Sequence, residues 1–62
     1  MCELTVYITK DQNREKVMEG VVRIMAHNGK LLLEGIFGDS MEVEGRLGQV
    51  DIMSQSANII AN

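Results

Sequence analysis

The chain has 62 residues, of which 45% are hydrophobic, and its nine acidic and six basic residues give a net charge of -3. This composition is too apolar for a disordered tail, and the single cysteine excludes an intramolecular disulfide. No apolar run is long enough to span a membrane, and the first residues lack the pattern of a signal peptide. We therefore expect one soluble, cytoplasmic domain over residues 1–62. Because small domains without disulfides or metal staples often self-associate, we also expect a homodimer.

The first predicted element is a strand over Cys2–Lys10. Apolar and polar residues alternate there, which is typical of a half-buried strand. The apolar positions are Leu4, Val6 and Ile8. Cys2 has the same parity as these residues, so its thiol is expected on the apolar side of the sheet. Residues 11–13 are predicted to form the following turn.

The next segment, Glu15–Ala26, has apolar residues that fit either a helical stripe or a strand. The Asn28-Gly29 pair favours the strand, because Asn-Gly between two apolar runs is the strongest short-range hairpin signal. A turn on these two residues places charge opposite charge and aliphatic opposite aliphatic side chains. The predicted pairs are Ile24 with Leu33, Ala26 with Leu31, and Arg23 with Glu34. Gly20 is predicted to form a bulge that bends the long strand.

The following region is predicted to be broken up by glycines. A turn over residues 38–40 comes before a short strand, Met41–Glu44. The segment Gly45–Gly48 contains two glycines and is predicted to end that strand.

The last predicted hairpin joins Gln49–Met53 to Ala57–Ala61 through a turn at Gln55-Ser56. The predicted partners are Val50 with Ala61 and Ile52 with Ile59. Five to six short strands joined by tight turns predict an all-β fold. We expect a small SH3-like barrel or a strongly bent antiparallel sheet.

Few residues are candidates for catalysis. His27 is the only histidine and lies at the predicted hairpin turn, where an exposed turn residue is the simpler interpretation. Asp39 and Asp51 have no second carboxylate at a spacing that would support acid and base chemistry. Glycine-rich phosphate loops need a strand-to-helix context, and no helix is predicted. The sequence therefore argues against an enzyme.

Cys2 is the residue with the most distinctive chemistry. Its thiolate and its own backbone nitrogen can close a five-membered chelate ring, and nitrogen and thiolate donors in one plane suit Ni(II) or Cu(II). The alternative is a buried or half-buried free cysteine that acts only as a small hydrophobic side chain. If Met1 is removed, Cys2 has a free amine. If Met1 stays, its amine, the Cys2 amide and the thiolate can fill three positions from one chain.

Three short segments follow one another in a distinctive order. They are Met1-Cys2 directly before a strand, Ile36-Phe37-Gly38-Asp39, and Val43-Glu44-Gly45-Arg46-Leu47 leading to Val50-Asp51-Ile52. Their order and spacing resemble the CooT family over the whole chain. The resemblance implies a compact SH3-like fold, a homodimer, and Ni(II) held by the cysteine after the initiator methionine, which is Cys2 here. It also implies a part in nickel insertion into a client enzyme such as carbon monoxide dehydrogenase.

The number of donors bears on assembly, and two other functions stay open. One thiolate per chain suggests that two chains close a square-planar site, each giving nitrogen and sulfur across a two-fold axis. The family is also labelled RNA-binding, which predicts contacts through Lys10, Arg14, Lys16 and Lys30. The acidic balance argues against nucleic acid, because that affinity comes mostly from Lys and Arg. A protein-interaction module that needs neither nickel nor RNA is the third hypothesis.

Overall fold

The computed structural model describes residues 3–62 and shows an all-β chain of five strands. The strands are β1 (Leu4–Lys10), β2 (Asn13–His27), β3 (Lys30–Gly35), β4 (Ser40–Asp51) and β5 (Ser56–Ala61). They follow one another in chain order around a closed barrel, which β1 completes by pairing with β5. The predicted all-β barrel is confirmed. In the described part of the chain, no helix has the length and apolar character needed to cross a membrane.

The alternation predicted for β1 is confirmed from Leu4 onward. Val6 is fully buried, and Leu4 and Ile8 pack against the same core. The buried hydrophobic residues are Val6, Val21, Leu31, Leu33, Ala57 and Ile59. They come from β1, β2, β3 and β5, whereas β4 packs the half-buried Val43 against them. The strand predicted to begin at Cys2 cannot be followed to that residue, which lies outside the described range.

The β2–β3 hairpin turns at Asn28 and Gly29, as predicted. Both residues have a positive φ, 51° and 76°, which is the conformation that a type I′ turn requires. All three predicted pairs are present: Ile24 with Leu33, Ala26 with Leu31, and Arg23 with Glu34. Residues 15–26 lie within β2 rather than in a helix, so the turn signal correctly resolved the ambiguous pattern.

Gly20 lies at the irregularity predicted for it in β2. Its φ is +66°, and the pairing of β1 with β2 changes register between Leu4–Val21 and Val6–Met18. The pairing with β3 also shifts, just after Val21. The irregularity therefore lies where β2 passes from pairing with β1 to pairing with β3, and it bends the strand around the barrel.

The predicted interruption of the second half is wrong. Met41–Glu44 is not a separate short strand, and Gly45–Gly48 does not end it, because both lie inside the continuous strand β4. The two glycines instead allow β5 to come close. A Cβ on Gly45 would meet the Ile60 carbonyl oxygen at 2.5 Å, and one on Gly48 would meet Ile60 Cγ1 at 2.8 Å.

The predicted register of the last hairpin is also wrong. Val50 pairs with Ala57 rather than Ala61, and Leu47 occupies the position opposite Ile59 that was predicted for Ile52. The turn covers residues 52–55, because Asp51 Oδ1 accepts hydrogen bonds from the backbone N–H groups of Met53 (3.0 Å) and Ser54 (3.3 Å). This side-chain turn ends β4 two residues earlier than expected.

Two further features differ from the predicted antiparallel sheet of short strands. The pairing of β1 with β5 is parallel, from Thr5–Ser56 to Thr9–Ile60. In addition, β2 and β4 have 15 and 12 residues, so each contributes successive stretches to two neighbouring strands. Long, bent strands of this kind let five strands close a small barrel.

Candidate metal centre

Cys2, the predicted nickel ligand, lies outside the described residues, so the structure reports on its surroundings from Glu3 onward. Glu3 is exposed, and its Oε1 lies 4.0 Å from the position that a Cβ on Gly20 would occupy. Leu4 then enters the sheet as the partner of Val21. Glu3, the first described residue, therefore lies beside the bulge of β2, at the end of the barrel where β1 begins.

Two turns meet the barrel at this end. The turn after β3 is tied to the bulge, because the Ile36 N–H donates to the Gly20 carbonyl at 2.8 Å. The turn after β4 is tied to β1, because the Thr5 N–H donates to the Gln55 carbonyl at 3.0 Å. The start of β1 thus has one turn near each side of it.

Both turns expose apolar side chains. Phe37 is 93% exposed and Met53 is 96% exposed, and their neighbours Ile36 and Ile52 are 37% and 62% exposed. We call these four residues the apolar turns. Large apolar side chains that are almost fully exposed are candidates for an interaction site.

The apolar turns were not predicted as an exposed surface. Ile52-Met53 was predicted at the end of a strand, and Ile36-Phe37 was placed directly before the turn over residues 38–40. The available signal was composition: Ile36 and Phe37 lie between Gly35 and Gly38, with only one further residue before β4 begins. An apolar pair confined between two glycines has little room to continue a strand.

The other residues that the sequence analysis considered are dispersed. His27 is exposed at the β2–β3 hairpin, where its Nε2 lies 3.1 Å from Asn28 Nδ2. Asp51 stabilises the turn after β4, and Asp39 is exposed before β4. Within residues 3–62, no group of three or more His, Cys, Asp or Glu side chains is placed to hold a metal ion. Cys2 remains the one predicted ligand.

The cations predicted for an RNA interface come from three strands, β1, β2 and β3. Lys30 lies at the hairpin and pairs with Glu42 at 3.9 Å. Lys16 forms an ion pair and hydrogen bond with Glu19, which raises the pKa of Lys16 and lowers that of Glu19. Both groups are fully exposed, so this pair contributes little to stability. Two of the four predicted contacts therefore already have acidic partners.

Comparisons with known proteins agree with the architecture. A family model described as the CO dehydrogenase accessory protein CooT matches residues 1–60. A crystal structure described as that of CooT from Carboxydothermus hydrogenoformans matches with a TM-score of 0.89 over 98% of both chains. The two sequences are 21% identical, so this likeness shows the fold. The search of curated proteins found no match.

Proposed function

The chain belongs to the CooT family of CO dehydrogenase accessory proteins, and on that basis we propose that it binds Ni(II) through Cys2 and supplies the metal during maturation of a nickel enzyme. The observation that carries the proposal is the family match over residues 1–60, which includes Cys2. The client would be carbon monoxide dehydrogenase or a related nickel enzyme. An accessory role implies that the chain performs no catalysis itself.

The donor chemistry supports Cys2 as the ligand. A thiolate with a neighbouring backbone nitrogen is a soft, mixed donor set that suits a square-planar Ni(II) ion. The nickel ion is the cargo of this protein, so a site with few ligands at the end of the chain is suitable for release. The chain has no second cysteine, so one copy supplies at most one thiolate.

The apolar turns support a homodimer around this site. Phe37 and Met53 are almost fully exposed, and each lies in a turn bonded to the region where β1 begins. We propose that they are covered by the second copy, in a two-fold contact that brings the two Cys2 residues together. Nickel bound between the copies would then stabilise the dimer, because it binds only the assembled state.

The test of the metal site is a titration of the wild type and Cys2→Ser with Ni(II), followed by calorimetry and by thiolate-to-nickel absorption. We expect Cys2→Ser to bind at least about a hundredfold more weakly, because the ligand is removed while the packed core begins at Leu4. The matched control is His27→Gln, since an exposed histidine is the commonest source of adventitious nickel binding. Equal affinity in the wild type and Cys2→Ser, or loss of binding in His27→Gln, would disprove the site.

The pH dependence gives a second measurement on the same site. A thiol has a pKa of about 8.5, and nickel displaces its proton. Affinity should therefore fall about tenfold per pH unit for each displaced proton as the pH decreases from 8 to 6. Without Met1, the thiol and the free amine of Cys2 displace up to two protons, whereas with Met1 present its amine, the Cys2 amide and the thiol displace up to three. The slope, together with the intact mass of the chain, therefore decides whether Met1 is present in the binding form.

The dimer is tested by sedimentation with and without Ni(II). Phe37→Ser and Met53→Ser should shift the wild-type dimer toward monomer, because each removes apolar surface from the proposed contact. Met25→Ser is the matched control, since Met25 is also exposed but lies on β2, away from the apolar turns. A wild-type protein that stays monomeric at micromolar concentration under both conditions would contradict the dimer.

The RNA hypothesis makes a different prediction. Binding through Lys10, Arg14, Lys16 and Lys30 would weaken steeply with salt. Two of these cations, Lys16 and Lys30, already pair with acids, and the whole chain has a net charge of -3. We therefore expect no RNA binding that survives physiological salt, and a filter-binding measurement over a salt series checks this.

A further inference from the structure

One stretch of β4 has no strand beside it on one side. The strand pairs with β3 through Ser40–Glu44 and with β5 through Gly45–Asp51. On the side that faces β3, the Gly45 N–H donates to the Gly29 carbonyl at 3.0 Å. Within residues 3–62, no strand pairs with β4 on that side beyond Gly45. The stretch Arg46–Val50 is therefore a free strand edge.

The backbone of Leu47 supplies a donor and an acceptor to this edge. Backbone groups of successive residues point to opposite sides of a strand, so those of Leu47 point to the same side as the Gly45 N–H. In the described chain, no backbone hydrogen bond joins Leu47 to a residue on that side. The pairing of β4 with β5 shifts between Leu47 and Gln49, so the edge bends and offers a short stretch rather than a long, flat one.

The side chains next to this edge form an apolar groove. Leu47 is paired directly with the buried Ile59, so it faces the barrel interior, yet it is 44% exposed. Ile24 and Ala26 of β2 also face the interior, because their partners in β3 are buried. Together with Leu31 they line a groove of about 340 Å³ that is open to solvent. We call Ile24, Ala26, Leu31 and Leu47 the Leu47 groove.

An unpaired stretch of β2 is protected from further pairing in a way that the β4 edge is not. Since β2 pairs with β1 before Val21 and with β3 after it, Arg14–Glu19 is also free on one side. Four of its six residues are charged, and natural sheets use charged edge residues to prevent pairing with another chain. The β4 edge has Arg46 as its only charged residue before Asp51, and it contains no proline. It is therefore open to strand addition.

From these observations we propose that the Arg46–Val50 edge and the Leu47 groove together bind a short extended segment of a partner polypeptide, which adds a strand beside β4. The segment hydrogen-bonds to the Leu47 backbone, and its side chains at alternate positions lie in the groove. Because the groove is lined by aliphatic side chains, those alternate residues of the partner are aliphatic too.

The unpaired backbone groups identify the occupant as a polypeptide. A hydrocarbon ligand would fill the groove but would leave the N–H and C=O groups of Leu47 without water and without a partner, which costs free energy. An extended peptide satisfies both groups while it covers Ile24 and Ala26. Charge does not select the occupant, because Lys30 beside the groove already pairs with Glu42.

The proposal does not depend on Cys2, on nickel or on the dimer. None of the residues of the edge or of the groove belongs to the proposed metal site or to the apolar turns. Failure of the docking site would therefore leave the proposed function intact, and the reverse also holds.

The test is an amide chemical-shift titration of the metal-free protein with the peptide Thr-Val-Thr-Val-Thr, blocked at both ends. We expect the largest shifts at Arg46–Val50, Ile24 and Ala26, together with slower hydrogen exchange of the Leu47 amide. Ala26→Glu should weaken binding about tenfold or more, because it places a charge against the aliphatic side chains of the peptide. The matched control is Met25→Glu, since Met25 is the preceding residue on β2, faces the outer surface and should be replaceable without loss of binding.

Two N-methylated peptides separate strand pairing from simple apolar contact. In an extended chain, the residues whose side chains face the groove have N–H groups that all point to one edge. One peptide is methylated on the nitrogens of both Val residues, and the other on those of the third and fifth Thr residues. Only one of the two should bind more weakly, by about two- to tenfold for each lost hydrogen bond.

Several outcomes would overturn the proposal. Equal binding of the two methylated peptides, equal losses in Ala26→Glu and Met25→Glu, or shifts confined to the apolar turns would each do so. Displacement of the peptide by lower concentrations of decanoate would identify a hydrocarbon ligand instead. Concentration-dependent shifts at Arg46–Val50 without peptide would show that a second copy of the chain occupies the edge.

Discussion

The turn between β2 and β3 consists of Asn28 and Gly29, whose positive φ angles make it a backbone-determined turn. The turn between β4 and β5 covers residues 52–55, and its geometry depends on the Asp51 carboxylate. The first turn is set by two adjacent residues and needs no side-chain contact. The second has a backbone hydrogen bond from the Gln55 N–H to the Ile52 carbonyl at 3.2 Å, and in addition one side chain that accepts two backbone N–H groups. The two hairpins of the barrel are therefore fixed by different means.

The strands next to these turns also pack differently. In β3, Leu31 and Leu33 are buried and fill the core. In β4, Leu47 and Val50 are 44% and 43% exposed, and Gly45 is the buried residue. Strand β3 therefore stabilises the barrel by burying its side chains, and strand β4 does so through the close approach of its backbone to β5. This difference can be tested by substitutions in the two strands.

The largest expected loss of stability comes from a substitution in β3. Leu33→Ala should lower the free energy of unfolding by about 2–5 kcal/mol, because it leaves a cavity among fully buried neighbours. The matched substitution in β4, Leu47→Ala, should cost less than about 1.5 kcal/mol, since nearly half of that side chain is already in water. Urea unfolding of both variants at neutral pH measures the difference. Equal losses of unfolding free energy in the two variants would show that β3 and β4 are packed alike.

A smaller effect is expected from filling the space between β4 and β5. Gly45→Ala should cost about 1–3 kcal/mol, because its Cβ would meet the Ile60 carbonyl oxygen, which belongs to the backbone and cannot move aside. Gly48→Ala should cost less than Gly45→Ala, since the atoms it would meet most closely, Ile60 Cγ1 and Cδ1, belong to a side chain rather than to the backbone. Thermal unfolding of the two variants checks the order. A larger loss for Gly48→Ala would contradict the role given to the Gly45 backbone contact.

The contrast between the hairpins also explains what could be predicted from the sequence. The β2–β3 register followed from Asn28-Gly29, because that turn is encoded in adjacent residues. For β4 and β5, the predicted and observed registers place the same residues on the same faces, so the apolar pattern fits both. Val50 faces inward opposite either Ala61 or Ala57. The observed register comes with the turn over residues 52–55, which has the Asp51 and Ile52–Gln55 hydrogen bonds, and with the parallel pairing of β1 with β5, and none of these is visible in the alternation.

The candidate site was predictable to a different extent. Cys2 was predicted as a ligand from donor chemistry and from resemblance to a family; the chain's membership of that family is shown, and the ligand stays a prediction. The apolar turns were not predicted, since Ile52-Met53 continues the apolar pattern of a predicted strand and Ile36-Phe37 lies directly before the predicted turn over residues 38–40. The parallel pairing of β1 with β5, which closes the barrel, was not predicted either, because no turn joins these two strands. Sequence alternation gives the face of a residue but not its neighbours across such a closure.

The smallest expected effect concerns the side-chain turn itself. Asp51→Ala should lower the free energy of unfolding by about 0.5–1.5 kcal/mol, because the N–H groups of Met53 and Ser54 lose their acceptor at an exposed site. Asp51→Asn keeps an oxygen in the same place and should stay within about 0.5 kcal/mol of the wild type. Cross-strand contacts between Val50 and Ala57, measured by NMR, would show whether the register survives. We expect it to survive in both variants, because Ala57 and Ile59 are buried and the parallel pairing with β1 also fixes β5. If Asp51→Ala instead moved Val50 toward Ala61, the Asp51 carboxylate alone would select the register of this hairpin.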